Sequence, residues 1–324
     1  MGFNLFCYLS GFGFDLSLYQ RSNPEKLLKK HQRRLSRQYK NGIISETKYN
    51  QLLDNQQIGS ALEIITKADL LIECLAEDLQ IKNQFFQEVE KIVSSDTIFA
   101  TNSSSILPSE INISDDRKPK LVGMHFFFPI KTKSFVELIS SEHSSEITIK
   151  SAVSFLNKIS KQILYQNSEN AFLVNKVLLD LQSAAYNLSI SKKLSYEFID
   201  RAVSNSFMSL GIFEMMDHIG LDVLQNSIKN YLRDNDEIDK YLPLLDKLSE
   251  MNKNQCLGIK IGKGFYNYSE KINSVTTSDG FSISLQDTAN YLEEILSLSI
   301  RSFTNQSEND RRMLEKAVFE VLSF

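Results

Sequence analysis

The stretch D-L-L-I-E-C-L-A-E-D-L-Q-I-K-N-Q-F-F-Q-E-V-E-K-I-V-S-S-D-T-I-F-A-T, residues 69–101, decides the fold class. Residues 69–73 form a short apolar run that reads as a buried strand. Phe85, Phe86, Val89 and Ile92 then recur at helical spacing, and residues 97–101 form the next strand. Strand, helix, strand is the crossover unit of a parallel sheet. Upstream, Leu16–Tyr19 reads as a strand after the Gly11/Gly13 turn. Ser22-Asn23-Pro24-Glu25 opens a helix with Ser22 as N-cap and Glu25 reaching back, and that helix stops near Asn41-Gly42. A second helix runs from about Ser45 towards Asp54. Downstream, 121–127, 135–139 and 162–166 are further strands. From Phe172 to about Leu248 the spacing is helical throughout, residues 257–268 are glycine-rich, and a helical tail runs from about Gln286. The expected architecture is an α/β domain over 1–168 with a helical hairpin at about 22–55, an all-α domain over 169–270, and a helical tail over 271–324.

Composition narrows the function. The chain has 324 residues, 42% of them hydrophobic and 23% charged, which is globular and long enough for two cores. Lys and Arg number 36 against 40 Asp and Glu, a formal charge of −4, so a general nucleic-acid binder is excluded. Three cysteines, far apart and never in C-x-x-C, offer neither a disulfide framework nor a zinc site. No apolar run is long enough for a membrane span, and residues 1–19 lack the basic start of a signal peptide. A cytoplasmic protein with no membrane contact is expected. The histidines are scattered and no metal is expected.

Three constellations could carry chemistry. His125 in M-H-F-F-F-P and Glu137 in F-V-E-L-I are each the lone ionisable group of an apolar strand. A hairpin centred on Lys131 sets them side by side. They are then a general base of fixed tautomer or a structural pair, because a buried carboxylate needs a partner, unless Glu137 simply points to solvent. Residues 101–105, T-N-S-S-S, follow a strand directly, where a parallel sheet presents groups to a ligand; an N-cap and turn cluster is the other reading. Lys26, Lys29, Lys30, Arg33, Arg34, Arg37 and Lys40 recur on one helix, as a solvated face or as a dock for a phosphate-rich molecule such as coenzyme A.

Taken together, the segments resemble the NAD-dependent L-3-hydroxyacyl-coenzyme A dehydrogenase family over roughly residues 1–270. They include A-D-L-L-I-E-C-L-A-E-D-L-Q-I-K (68–82), T-N-S-S-S (101–105), G-M-H-F-F-F-P (123–129), F-V-E-L-I (135–139), F-L-V-N-K (172–176), G-I-F-E-M-M-D-H-I-G-L-D (211–222) and G-I-K-I-G-K-G-F-Y-N-Y (258–268). The resemblance implies a Rossmann-like domain that binds NAD, and a helical domain that forms a homodimer. It implies oxidation of a 3-hydroxyacyl-CoA of the fatty-acid β-oxidation type. His125 is cast as the base, Glu137 as its orienting carboxylate, and Ser104 and Asn175 as hydrogen-bonding groups near the reacting oxygen. Glu77 and Lys82 match residues lining the cofactor site. Lys30, Arg33, Arg34 and Arg37 match the coenzyme A face. The tail resembles the start of a second helical domain.

The departures fall on the cofactor side. Gly2 matches the third glycine of the G-x-G-x-x-G fingerprint, whose first strand and first two glycines do not occur in the sequence. The acidic residue expected for the ribose is Gln20, the Asn expected after His-Phe-Phe is Phe128, and the Pro-Gly before Phe172 is Asn170-Ala171. A sheet with a central gap and weak NAD binding are therefore expected. The alternative to turnover is a homologue that binds an acyl-CoA or a partner subunit without catalysis.

Overall fold

Helix α1 (Gly2–Leu9) leads through the Gly11/Gly13 turn into strand β1 (Leu16–Tyr19), then α2 (Pro24–Lys40), α3 (Glu46–Asp54) and β2 (Gln56–Gly59). This computed structural model describes residues 1–167, 171–232, 238–269, 283–303 and 307–323. Asn170 and the expected domain limits at 168 and 270 lie outside them. Helix α2 starts one residue later than the Ser22 cap predicts. Its N-cap is Asn23, left-handed at φ 52°, and makes no side-chain cap bond. Pro24 disfavours the helical conformation in the residue before it, and Asn tolerates positive φ better than most residues. The cap of α3 is as expected, with Ser45 accepting from Lys48 N–H at 3.2 Å.

The rest of the α/β unit is β3 (Leu70–Glu73), α4 (Leu79–Val89), β4 (Ile98–Thr101), β5 (Leu121–Phe126), β6 (Phe135–Ser140), α5 (Glu146–Lys158) and β7 (Gln162–Asn167). These strands form one sheet in the order β3-β4-β5-β6-β7. Only β5 and β6 run antiparallel, with His125 opposite Glu137 as the Lys131-centred hairpin requires. Side chains alternate across the sheet. Ala100, Val122, Met124, Val136 and Leu138 join Leu5 and Leu9 of α1 in one core. Leu71, Phe99 and Leu121 join Phe85, Phe86 and Val89 of α4 in the other. The register puts Glu73, Thr101, His125, Glu137 and Gln166 on the same face as Phe99 and Leu121. That face therefore carries a polar row past its apolar core.

Strands β1 and β2 stand apart as a parallel pair, and among the described residues β1 and β3 are not hydrogen-bonded to each other. The expected gap is present at this point. Neither flanking strand has closed it, and residues 2–9 remain a helix. Leu16 of β1 and Leu70 and Ile72 of β3 pack on the core that Leu5 and Leu9 enter, so α1 covers apolar surface beside the break. Strand β2, Q-Q-I-G, is not legible in the sequence because it has no apolar alternation and Ile58 is its one β-branched residue.

The second unit, 172–324, is helical: α6 (Leu173–Lys192), α7 (Tyr196–Ser204), α8 (Ile212–Ile219), α9 (Leu221–Tyr231), α10 (Leu242–Lys253), α11 (Leu285–Ser302) and α12 (Glu308–Leu322). Serines cap α7, α11 and α12. The tail belongs to this unit: α11 lies on α6 and α7 and buries Leu292, Leu296 and Ile300. No described helix is long and apolar enough to cross a membrane.

Candidate active site

The polar row contains a buried imidazole–carboxylate pair. His125 Nδ1 lies 2.6 Å from Glu137 Oε2. Both side chains are buried, Glu137 with no exposed surface. An ionised carboxylate only accepts, so the ring proton resides on Nδ1 and Nε2 is the basic nitrogen. The His125 ring meets Phe127 edge-on at 4.8 Å, which fixes its plane. Glu137 Oε1 accepts from Gln166 Nε2 at 2.9 Å.

A second network organises the serine loop after β4. Glu77 Oε1 accepts from Ser104 N–H at 2.9 Å, Ser105 N–H at 2.7 Å and Ser105 Oγ at 2.8 Å, and from Ser103 Oγ. Burial pushes the Glu77 carboxyl up, but the Lys82 charge and the serine donors outweigh it and hold it below its ordinary value. Lys82, only 1% exposed, reaches both oxygens of Glu73 at 2.9 Å and Glu77 Oε2 at 3.5 Å. Glu73 also accepts from Thr101 Oγ1 at 2.7 Å. Asn102 Oδ1 accepts from Phe126 N–H at 2.9 Å, which ties the serine loop to the strand of His125. The ammonium of Lys82 is turned inward, so it acts on this site by holding Glu77.

The other expected residues are dispersed. Gly2 starts α1, where a Cβ would meet Cys74 Cβ at 3.4 Å and Leu18 Cδ1 at 3.9 Å. These are ordinary contact distances, and they set the N-terminus of α1 beside the carboxyl ends of β1 and β3, where the first helix of a dinucleotide-binding fold meets the pyrophosphate. The residues present thus fit NAD on this side, although no G-x-G turn lies among them. Gln20 follows β1, its N–H bonded to Gly59 O at 2.8 Å. Phe128 is 58% exposed. Asn175, in the helical unit, donates to Tyr231 OH at 3.0 Å.

The basic helix is not one face. Arg34 turns inward, donating to Cys7 O at 3.2 Å and Ser10 Oγ at 2.6 Å, and Lys30 sits over the Phe3 ring. Arg33, Arg37 and Lys40 instead line an open groove with Tyr49 and Leu53 of α3. Sequence reasoning assigns no role to Glu73 or Gln166, and it reads Asn102 only as one of the 101–105 groups that can face a ligand or cap a turn. Glu73 ends the observed strand Leu70–Glu73 as its one acid, but the strand read from sequence over 69–73 also holds Asp69, which hides that signal. Gln166 carried none that separates it from a solvent-facing amide.

Comparison with known proteins identifies the family. Residues 1–168 match the 3-hydroxyacyl-CoA dehydrogenase NAD-binding domain, and residues 172–268 match the C-terminal domain of the same family. A probable 3-hydroxybutyryl-CoA dehydrogenase of Bacillus subtilis is 31% identical over 80% of this chain and 91% of its own length. The mitochondrial hydroxyacyl-coenzyme A dehydrogenase of Rattus norvegicus is 31% identical over 64% of this chain, and the match spans 66% of that protein, just under two thirds. The crystal structure of (S)-3-hydroxybutyryl-CoA dehydrogenase from Ralstonia eutropha has the same fold, with a TM-score of 0.74 and 24% identity over 83% of this chain and 96% of that one. With an NAD-binding α/β unit, a helical unit of the matching type and the paired His125 and Glu137 on its sheet, the chain belongs to the 3-hydroxyacyl-CoA dehydrogenase family.

Proposed function

We propose that the chain oxidises a 3-hydroxyacyl-CoA to the 3-oxoacyl-CoA, and that His125 is the general base. The observation carrying this reading is the buried 2.6 Å contact between His125 Nδ1 and Glu137. His125 Nε2 takes the proton of the 3-hydroxyl as the C3–O bond becomes a carbonyl. Glu137 stabilises the imidazolium that forms, and the proton later leaves to solvent. Bound NAD supplies the acceptor for the hydride leaving C3. Ser104, placed by Glu77, supplies a hydroxyl to the developing oxygen charge. Gly2 and Gln20 hold the nucleotide end, and the groove of Arg33, Arg37 and Lys40 takes the phosphates of coenzyme A. The reading carries with it a homodimer through the helical unit and a cytosolic location.

The test is NAD reduction with 3-hydroxybutyryl-CoA. His125→Ala is expected to lower kcat by about 10²–10⁴-fold. Equal rates for wild type and variant would remove His125 from the mechanism.

The break between β1 and β3 favours a second reading, acyl-CoA binding without turnover. Calorimetry with 3-hydroxybutyryl-CoA beside the NAD-reduction assay separates the two. Thioester binding without NAD reduction would favour the second reading, and NAD reduction by the chain would remove it.

A further inference from the structure

A carboxylate with no access to water persists as an anion only where donors meet its oxygens. Glu137 is such a group, and its two oxygens face different partners: Oε2 the His125 ring and Oε1 the Gln166 amide at 2.9 Å. The sheet makes this arrangement. His125 on β5 is directly opposite Glu137 on β6, and Glu137 pairs with Leu164 on β7. Gln166, two residues further on, returns to the same face as Leu164 and reaches Glu137 diagonally. Three adjacent strands therefore contribute one side chain each.

The orientation of the amide is chemically informative. Only Nε2 can face a carboxylate, because the carboxylate offers no hydrogen. With Nε2 so placed, Gln166 Oε1 is buried and has no hydrogen-bond partner among the described residues. A buried carbonyl left unmatched carries a desolvation cost, which this position accepts in order to donate to Glu137. The terminal torsion of a Glu side chain is soft, so each bond to a carboxylate oxygen narrows its orientation.

We infer that Gln166 is a positioning residue for the proposed reaction: it holds Glu137 in the orientation that locks the His125 tautomer, making a relay of three strands. This inference rests on His125 being the base, and it concerns a residue that touches neither substrate nor cofactor.

The test combines a mutant cycle with a spectroscopic readout on the full chain. Gln166→Leu is expected to lower kcat roughly tenfold, the weight of one hydrogen bond to a charged group. The KM for 3-hydroxybutyryl-CoA should stay within about twofold, and the melting temperature within about 2 °C. Gln166→Met, which keeps the unbranched stem, replaces it if the Leu variant does not fold. In a Glu137→Ala background the same substitution should cause no further loss, since its route of action is gone. An undiminished loss there would overturn the inference, because Gln166 would then act elsewhere. By proton NMR, the low-field Nδ1–H resonance of His125, identified by its absence in His125→Ala, should move upfield in Gln166→Leu. A resonance that does not move would overturn the inference whether or not the protein turns over. A shifted resonance in a protein without dehydrogenase activity would support the relay and count against the proposed reaction.

Discussion

The α/β unit and the helical unit both bury carboxylates, and they satisfy them in opposite ways. In the α/β unit Glu73 is bonded to the Lys82 ammonium, Glu77 lies against the same ammonium and the serine loop, and Glu137 is bonded to the His125 ring. In the helical unit Asp200 accepts from the N–H groups of Phe213 and Glu214 and from Tyr266 OH. Asp217 accepts from the N–H groups of Phe265 and Tyr266 and from Tyr268 OH. Among the described residues no salt bridge reaches either aspartate. Room for these contacts comes from glycine: a Cβ on Gly211 would collide with the Asp200 carboxyl, and one on Gly264 with that of Asp217. Acids held by a cation or an imidazole keep their charge and are suited to proton chemistry. Acids held by neutral dipoles tie segments together and pay in raised proton affinity.

The largest expected effect comes from removing the cation of the first region. Lys82→Met leaves Glu73 buried and uncompensated, and breaking a buried pair from one side costs about 3–5 kcal/mol. Denaturant unfolding should show a loss of that size, with the serine loop losing order as Glu77 loses its ammonium. A loss below about 1 kcal/mol would mean that the two regions do not differ in the way their contacts imply.

This contrast was only partly legible in the sequence. The crossover unit, the hairpin register and the change to helix after Phe172 were readable because each rests on a periodic apolar pattern or a counted loop. His125 and Glu137 were readable as lone charges in apolar strands. Lys82 was given only by the resemblance, as a residue lining the cofactor site, and nothing local in the sequence reveals that its ammonium lies against Glu73. Arg34 misled, since its partners, Cys7 and Ser10, belong to a helix distant in sequence. Asp217 lies in a segment that the resemblance included, and Asp200 in the helical stretch after Phe172, but their backbone partners are set by tertiary approach, which composition does not encode.

The next effect sharpens the contrast through pH. Burial raises the Asp200 carboxyl from 3.8 to about 6, while the Phe213 N–H and the Tyr266 hydroxyl limit the rise. The folded state thus binds that proton more tightly than the unfolded chain does. The corresponding stability is complete below about pH 4 and is lost as the pH rises through about 6. Glu77, held below its ordinary 4.5, behaves in reverse: its contribution is present above that value and is lost as the pH falls. Asp200→Asn should therefore flatten the pH dependence of unfolding between about 4 and 6, by an amount on the order of 2 kcal/mol. Glu77→Gln should instead remove a loss of stability on the acid side. Parallel pH curves for both variants and the wild type would erase the distinction.

The smallest effect lies where neither region's rule applies, on charges that face solvent. Arg33 and Arg37 line the α2–α3 groove, whereas Arg34, one residue along, is bound to α1. Reversing Arg33 and Arg37 to Glu should weaken binding of coenzyme A esters by about tenfold or less, the scale of a few screened charges, and leave stability within about 0.5 kcal/mol. Pantetheine esters, which lack the nucleotide phosphates, should bind both proteins alike. Arg34→Ala should do the opposite, lowering the melting temperature while changing thioester affinity little, because its guanidinium serves the α1 contact. Equal weakening of both ester classes by the Arg33 and Arg37 reversals would show that the groove does not meet the phosphates. An Arg34 variant that lost affinity and kept its stability would return that residue to the ligand face.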